Sequence, residues 1–165
     1  MNLRRTKEEM KVLRVLYVCT HNGARSLIAE KFTHQLATGG IEAYSSSFES
    51  GKIGPLLIAV MQEIGIELPE EAPKTMWDRY LENETLDWVV SLSDDTSVHE
   101  HSIFEEDVDI LYGKEMKRLS LSVSPFETLS GTKEGRLDGA RKIRDQIKSL
   151  VLALLFQMNI ATDAG

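Results

Sequence analysis

The chain has 165 residues, of which 42% are apolar and 27% charged, a composition typical of a single soluble globular domain. Its net charge of −7 argues against nucleic acid or an anionic membrane as the main partner, and the longest apolar run, 150–156, is far too short to span a bilayer. A single cysteine, Cys19, excludes an intrachain disulfide and fits a reducing cytoplasm. We expect a loose extension over 1–11, one domain over 12–158 and a tail over 159–165.

Hydrophobic patterning predicts that strands and helices alternate along the chain. Short apolar runs predict four strands, at 12–18, 41–47, 86–92 and 116–121. Helical spacing of apolar residues predicts four helices, at 26–38, 56–64, 75–81 and 133–158. The acidic segment 93–109 is predicted to be a polar loop with no more than one helical turn. This alternation favours a parallel, doubly wound α/β sheet, in which ligands bind at the carboxyl edge of the strands.

The connection between the first strand and the first helix carries the strongest functional signal. It reads Cys19-Thr20-His21-Asn22-Gly23-Ala24-Arg25-Ser26. A loop of this length before a helix can enclose a tetrahedral oxyanion, with backbone N–H groups directed at the anion and a guanidinium that grips two of its oxygens. The helix N-terminus and the guanidinium both favour thiolate, so a lowered pKa and a nucleophilic role are predicted for Cys19.

Simpler interpretations exist for several of these residues. Cys19 is also compatible with a small buried apolar side chain at a strand end. His21 either tunes the thiol or faces solvent. Ser26 is placed either to cap the helix or to donate to the thiolate. The histidines of His99-Glu100-His101 match no standard zinc spacing, so we interpret that segment as a solvated acidic loop and predict no metal.

Four segments resemble the low-molecular-weight protein tyrosine phosphatase family, which includes arsenate reductases of the same fold. The first is the cysteine loop, followed by Ala29-Glu30, and the second is Ala43-Tyr44-Ser45. The segments 55–66 and 131–145 are most similar to the arsenate-reductase branch. The resemblance covers roughly residues 12–155. It implies a four-stranded parallel sheet flanked by helices.

The resemblance also implies roles for individual residues. Cys19 would be the nucleophile, Arg25 the oxyanion clamp, and Ser26 would lower the pKa of Cys19. Asn22 would support the loop through a hydrogen bond with Ser45. From the residues alone, the alternative is that Asn22 is a turn former and Ser45 a strand-end hydroxyl.

Ser124-Pro125 departs from the family's pattern in the loop before the last helix. The family usually has Asp-Pro there, and the aspartate acts as general acid. A serine hydroxyl cannot protonate a leaving group near neutral pH. Glu127 either substitutes for the acid or is a plain surface carboxylate.

The second departure follows the third strand, where thioredoxin-coupled arsenate reductases place two further cysteines. This chain has none there, so an internal disulfide relay is impossible. Reduction of arsenate would need an external thiol, either a small molecule or a glutaredoxin-like partner. No other cofactor is expected.

We therefore favour a cytoplasmic enzyme that attacks a tetrahedral oxyanion with Cys19 and reduces arsenate at the expense of an external thiol. Hydrolysis of phosphate monoesters or phosphoproteins through a cysteinyl-phosphate is the near alternative. The alternative outside the enzymes is a sensor that binds an oxyanion or a phosphoprotein without catalysis. Such a protein retains the loop without the acid.

Overall fold

The computed structural model describes residues 11–20, 24–48, 51–82, 85–94 and 98–163, without the side chains of 98–103. Four strands form one sheet: β1 (Leu13–Cys19), β2 (Ile41–Ser47), β3 (Trp88–Ser93) and β4 (Arg118–Ser122). The strand order is β2-β1-β3-β4, and every neighbouring pair is parallel. The predicted four-stranded parallel sheet is confirmed.

Five helices flank this sheet, with a short 3-10 turn at Phe126–Thr128. They are α1 (Ala24–Leu36), α2 (Pro55–Gln62), α3 (Met76–Leu81), α4 (Val98–Tyr112) and α5 (Lys133–Gln157). Alternate residues of β1 face opposite sides, as the strand period requires. Tyr17 belongs to the core shared with α1, α2 and α5, whereas Leu16 and Val18 belong to a smaller core shared with α3 and α4.

The helix α4 corrects the prediction of a polar loop over 93–109. Phe104 and Val108, spaced one helical turn apart, are buried in the smaller core, and Leu111 packs against them. Glu105, Glu106, Asp107 and Asp109 lie between and beside these residues and obscure the apolar stripe in the sequence. Arg118 of β4 pairs with Glu105 and Asp109 at 2.9 and 2.8 Å, which ties the acidic face of α4 to the sheet.

The segment after α5 returns to the end of α1. The backbone N–H of Thr38 donates to the Ala161 carbonyl, and that of Asp163 donates to the Leu36 carbonyl, both at 3.0 Å. The packed unit therefore extends beyond residue 158, where we expected a tail to begin.

Parallel pairing brings the carboxyl ends of the strands to one edge of the sheet. Cys19 lies beside Ser47 in the register of β1 and β2, and Val18 lies beside Ser91 in that of β1 and β3. Cys19 thus stands at the edge where the loops after the strands converge. Within the part of the chain that the structure describes, no helix has the length and apolar character needed to cross a membrane.

Candidate active site

The thiol of Cys19 lies at the end of β1 and faces the first turn of α1. Cys19 is buried, and its Sγ accepts the backbone N–H of Ser26 at 3.2 Å. The thiol also donates to the Ser26 hydroxyl at 3.4 Å. That hydroxyl donates in turn to the backbone carbonyl of Ser46 in β2 at 2.9 Å. One chain of hydrogen bonds therefore joins β2, α1 and the thiol, at the helix end whose dipole favours negative charge.

Arg25 stands beside the thiol and is only 2% exposed. Its Nη1 donates to the backbone carbonyl of Val123 at 2.9 Å, and its Nη2 donates to the hydroxyl of Thr20 at 3.0 Å. Val123 directly follows β4, so the guanidinium links the loop after β1 to the loop after β4. Because arginine keeps its charge under all ordinary conditions, this site holds a permanent positive charge.

The ionisation of Cys19 differs from the prediction. Burial raises the pKa of the Cys19 thiol, although the charge of Arg25 and the hydrogen bonds from Ser26 act in the opposite direction. The lowered pKa that we predicted is therefore wrong. The sequence reveals the cation and the helix end, but it does not reveal how completely the thiol is removed from water, which disfavours the thiolate.

Ser45 has a partner on α1. Its side chain hydrogen-bonds to the carboxyl group of Glu30, and its backbone carbonyl accepts Nη2 of Arg79 at 3.2 Å. Burial raises the pKa of Glu30, while nearby cations, Arg79 among them, act in the opposite direction. Asn22 lies outside the described residues, so its bond to Ser45 stays a prediction.

The rest of the predicted anion loop is described only at its ends. Thr20 contacts Arg25, and the buried Ala24 begins α1. His21, Asn22 and Gly23 lie between them, outside the described residues. Their contribution to anion binding stays a prediction.

Ser124, at the position where the family usually has its general acid, lies in the loop next to Arg25. Ser124 is exposed and follows Val123, whose carbonyl binds Arg25. Glu127 is exposed within the 3-10 turn. Among the described contacts, neither side chain hydrogen-bonds to Cys19 or Arg25. The loop therefore reaches the site, but the structure brings no carboxylate from it to the thiol.

The histidine segment that we interpreted as a solvated loop falls on the first turns of α4. The side chains of His99, Glu100 and His101 lie outside the described part of the chain. Among the described side chains, no three of His, Cys, Asp or Glu come together as a metal site would require.

Sequence reasoning missed two contributors to the site. Glu30 lies four residues after Ser26, a spacing that places both on one face of α1, and this signal could have predicted their common contact with β2. The carbonyl of Val123 has no side-chain signature, so its bond to Arg25 could only be found in the structure.

The sheet is parallel, a buried cysteine ends its first strand, and an arginine lies in the first turn of the next helix. These features together define a class of cysteine-based α/β proteins. The profile of the family described as "Low molecular weight phosphotyrosine protein phosphatase" matches residues 14–161. The chain belongs to this family, as the resemblance of its motifs predicts.

Individual relatives are named for one activity of the family. The chain is 40% identical over 55 residues to the "Glutaredoxin arsenate reductase" of Synechocystis, which is 33% of this chain and 42% of that protein. It is 27% identical over 133 residues to an "Arsenate reductase" of Shouchella clausii, which is 81% of this chain and 88% of that protein. A solved arsenate reductase in the oxidized state superposes with a TM-score of 0.63 at 25% identity, over 88% of this chain and 98% of that one.

Proposed function

We propose that this protein is an arsenate reductase that uses Cys19 as nucleophile and an external thiol as reductant. The observation that carries the proposal is the position of the Cys19 thiol between the first turn of α1 and the guanidinium of Arg25. A cation and a helix end together suit a tetrahedral oxyanion. The names of the relatives favour arsenate as that oxyanion.

The first step forms a sulfur–arsenic bond. As Cys19 attacks, the proton of the buried thiol moves to the hydroxyl oxygen of hydrogen arsenate. That oxygen leaves as water, and arsenic(V) is held on sulfur as a cysteinyl-arsenate. Arg25 neutralises the charge on the remaining oxygens, and Ser26 holds the sulfur in line for the attack.

The second step uses the external thiol, because this chain has no other cysteine. A donor thiolate attacks the sulfur of Cys19, the sulfur–arsenic bond breaks, and its electron pair leaves with arsenic as arsenite. Cys19 and the donor are then joined in a mixed disulfide. A second donor thiol exchanges with that disulfide, which restores Cys19 and releases the oxidised donor.

The single cysteine also limits the donor, because the donor has to supply the reducing thiols. Small thiols and redoxins both supply the required thiolates, and the name of the Synechocystis relative favours a glutaredoxin. Both donor classes belong to a reducing compartment such as the cytoplasm.

A side-by-side assay tests the proposal. Arsenite formation is measured with glutathione and glutaredoxin, with thioredoxin, and with no thiol, and hydrolysis of an activated aryl phosphate is measured in parallel. We expect arsenite with one donor class and none without thiol. Cys19→Ser must abolish the chemistry while leaving anion binding by Arg25 largely in place. Rapid arsenite formation without thiol contradicts the scheme.

Phosphate-monoester hydrolysis is the second candidate, and the description of the family favours it. Its first half uses the same attack by Cys19. Its weakness is Ser124, which stands where a proton donor for the leaving group is needed. If the protein hydrolyses phosphotyrosine as readily as activated esters, phosphatase activity is favoured over arsenate reduction. Tight anion binding without either chemistry would instead indicate a sensor.

A further inference from the structure

A groove lies between α3 and α4, near the thiol but outside the anion loop. Its volume is about 270 Å³, and residues of three segments line it. They are Phe48, Thr75, Met76, Trp77, Asp107, Ile110 and Leu111. We call it the α3–α4 groove. Arsenate is a small ion and does not need a groove of this volume.

The walls of the groove are apolar and open to solvent. Trp77 is 57% exposed and Ile110 is 70% exposed. Tyr80 and Leu81, on the same short helix as Trp77, are also exposed, and the ring of Tyr80 lies 6.1 Å from that of Trp77. Apolar side chains concentrated on adjacent helices are typical of a surface that contacts another protein.

One carboxylate lies among these apolar walls. Burial raises the pKa of Asp107, and the neighbouring charge of Glu106 raises it further. Within the described residues, no Lys, Arg or His lies within ion-pair distance of Asp107, whereas Glu105 and Asp109 on the same helix both pair with Arg118. In the described part of the chain, the groove therefore presents a carboxylate that no cation pairs with, beside an exposed indole ring.

The groove adjoins the candidate active site through Phe48. This residue lines the α3–α4 groove and also a small apolar cavity formed with Cys19, Thr20 and Phe104. A molecule seated in the groove is thus separated from the surroundings of the thiol by one side chain. This position suits a partner whose own thiol must reach Cys19.

We propose that the α3–α4 groove docks the protein thiol donor, through an arginine side chain that stacks on Trp77 and pairs with Asp107. An arginine fits both walls, since its planar guanidinium stacks on an indole and binds a carboxylate through two donors. The inference rests on the proposed function, because a reductase with one cysteine requires a donor that approaches Cys19 closely.

The cation site is tested first, without any chemistry. The Cys19→Ser protein is titrated with a dye-labelled, end-blocked peptide that carries one arginine between leucines, and fluorescence polarisation reports binding. Replacing the arginine by citrulline, which keeps the shape and removes the charge, should weaken binding about tenfold. Asp107→Asn should remove this difference between peptides. Glu106→Gln is the matched control, because it removes a charge from the same helix outside the groove, and it should preserve the difference.

The assignment to the donor is tested by comparing two reductants. Arsenite formation is measured with a reduced glutaredoxin and with dithiothreitol, which has no side chain to fill the groove. Asp107→Asn and Trp77→Ala should each lower the ratio of kcat/KM for glutaredoxin to kcat/KM for dithiothreitol about tenfold, through KM for glutaredoxin. Equal losses with both reductants indicate a structural role and overturn the inference.

The remaining outcomes separate this inference from the proposed function. Arsenite formation that proceeds normally, with arginine and citrulline peptides bound equally, overturns the groove alone. No arsenite with any donor, together with retained preference for the arginine peptide, overturns the proposed function and the donor assignment but leaves the cation site. If the variants instead raise KM for a phosphopeptide, the occupant is a substrate and the donor assignment is wrong.

Discussion

The hydroxyl of Ser26 is the side chain whose removal should change the thiol most cleanly. It accepts the Cys19 thiol at 3.4 Å and donates to the Ser46 carbonyl at 2.9 Å. Ser26→Ala deletes both contacts but keeps the backbone N–H that reaches Sγ at 3.2 Å. The variant therefore isolates the effect of the hydroxyl on the ionisation of Cys19.

The magnitude follows from the strength of a hydrogen bond to a charged group. When the thiol ionises, the Ser26 hydroxyl turns its one proton from the Ser46 carbonyl to the thiolate. Such a bond contributes roughly 1.5–3 kcal/mol, and 1.36 kcal/mol corresponds to one pKa unit. The contact is long for a full-strength bond, so we take the lower end and expect the pKa of Cys19 to rise by about one unit. The loss of a donor to the buried Ser46 carbonyl should also destabilise the fold by about 1–3 kcal/mol.

The assay is the pH dependence of alkylation, and the single cysteine makes the signal unambiguous. The rate follows the thiolate fraction, so the midpoint of the profile reports the pKa. Thr33→Val is the matched control, because it removes a buried hydroxyl of the same helix that bonds to Tyr17 and Ala29. It should lower stability without moving the midpoint. An unchanged midpoint in Ser26→Ala, or an equal shift in Thr33→Val, refutes the reasoning.

Three further predictions concern the anion, the acid and a distant ion pair. Arg25→Lys keeps the charge but loses the two-pronged grip, so protection of Cys19 from alkylation by arsenate should require about tenfold more anion; unchanged protection argues against Arg25 as the clamp. Ser124→Asp should accelerate hydrolysis of phosphotyrosine by up to about 10²–10⁴ with little effect on activated esters, and steady-state rates that rise equally for both exclude the missing-acid explanation. Hydrogen bonds from Arg141, with a smaller contribution from Arg144, lower the pKa of Glu63. The ionised Glu63 carboxylate therefore stabilises the fold above the ordinary carboxyl pKa, and this stabilisation disappears as pH falls through the lowered pKa. In thermal melts from pH 6 to 3, Glu63→Gln should lose less Tm on acidification than the parent, and parallel curves would contradict this.

The sheet could be predicted from the sequence because its strands are short apolar runs separated by periodic helices. β2 was predicted with the observed bounds, and β4 begins two residues later than predicted, at Arg118. α4 was missed because its buried stripe consists of few side chains, Phe104 and Val108 among them, within a strongly acidic segment. Tertiary packing against the sheet, and not intrinsic polarity, decides the structure there.

The site was predictable where chemistry resides in side chains of one segment. The sequence predicts that Cys19, Arg25 and Ser26 lie close together, because a strand, a short loop and a helix fix their separation. The carbonyl of Val123 comes from a distant loop and carries no side-chain signal. The pKa of Cys19 was predicted in the wrong direction, because burial depends on the packing of the whole fold around the sulfur.

Mass spectrometry of Cys19 during turnover tests the central claim most directly. The protein is incubated with arsenate and a limiting amount of the active thiol donor, then acid-quenched and digested. The account predicts arsenite in solution and the Cys19 peptide joined to the donor through a disulfide that reductant removes. Arsenite released in step with turnover while Cys19 never carries the donor would contradict it.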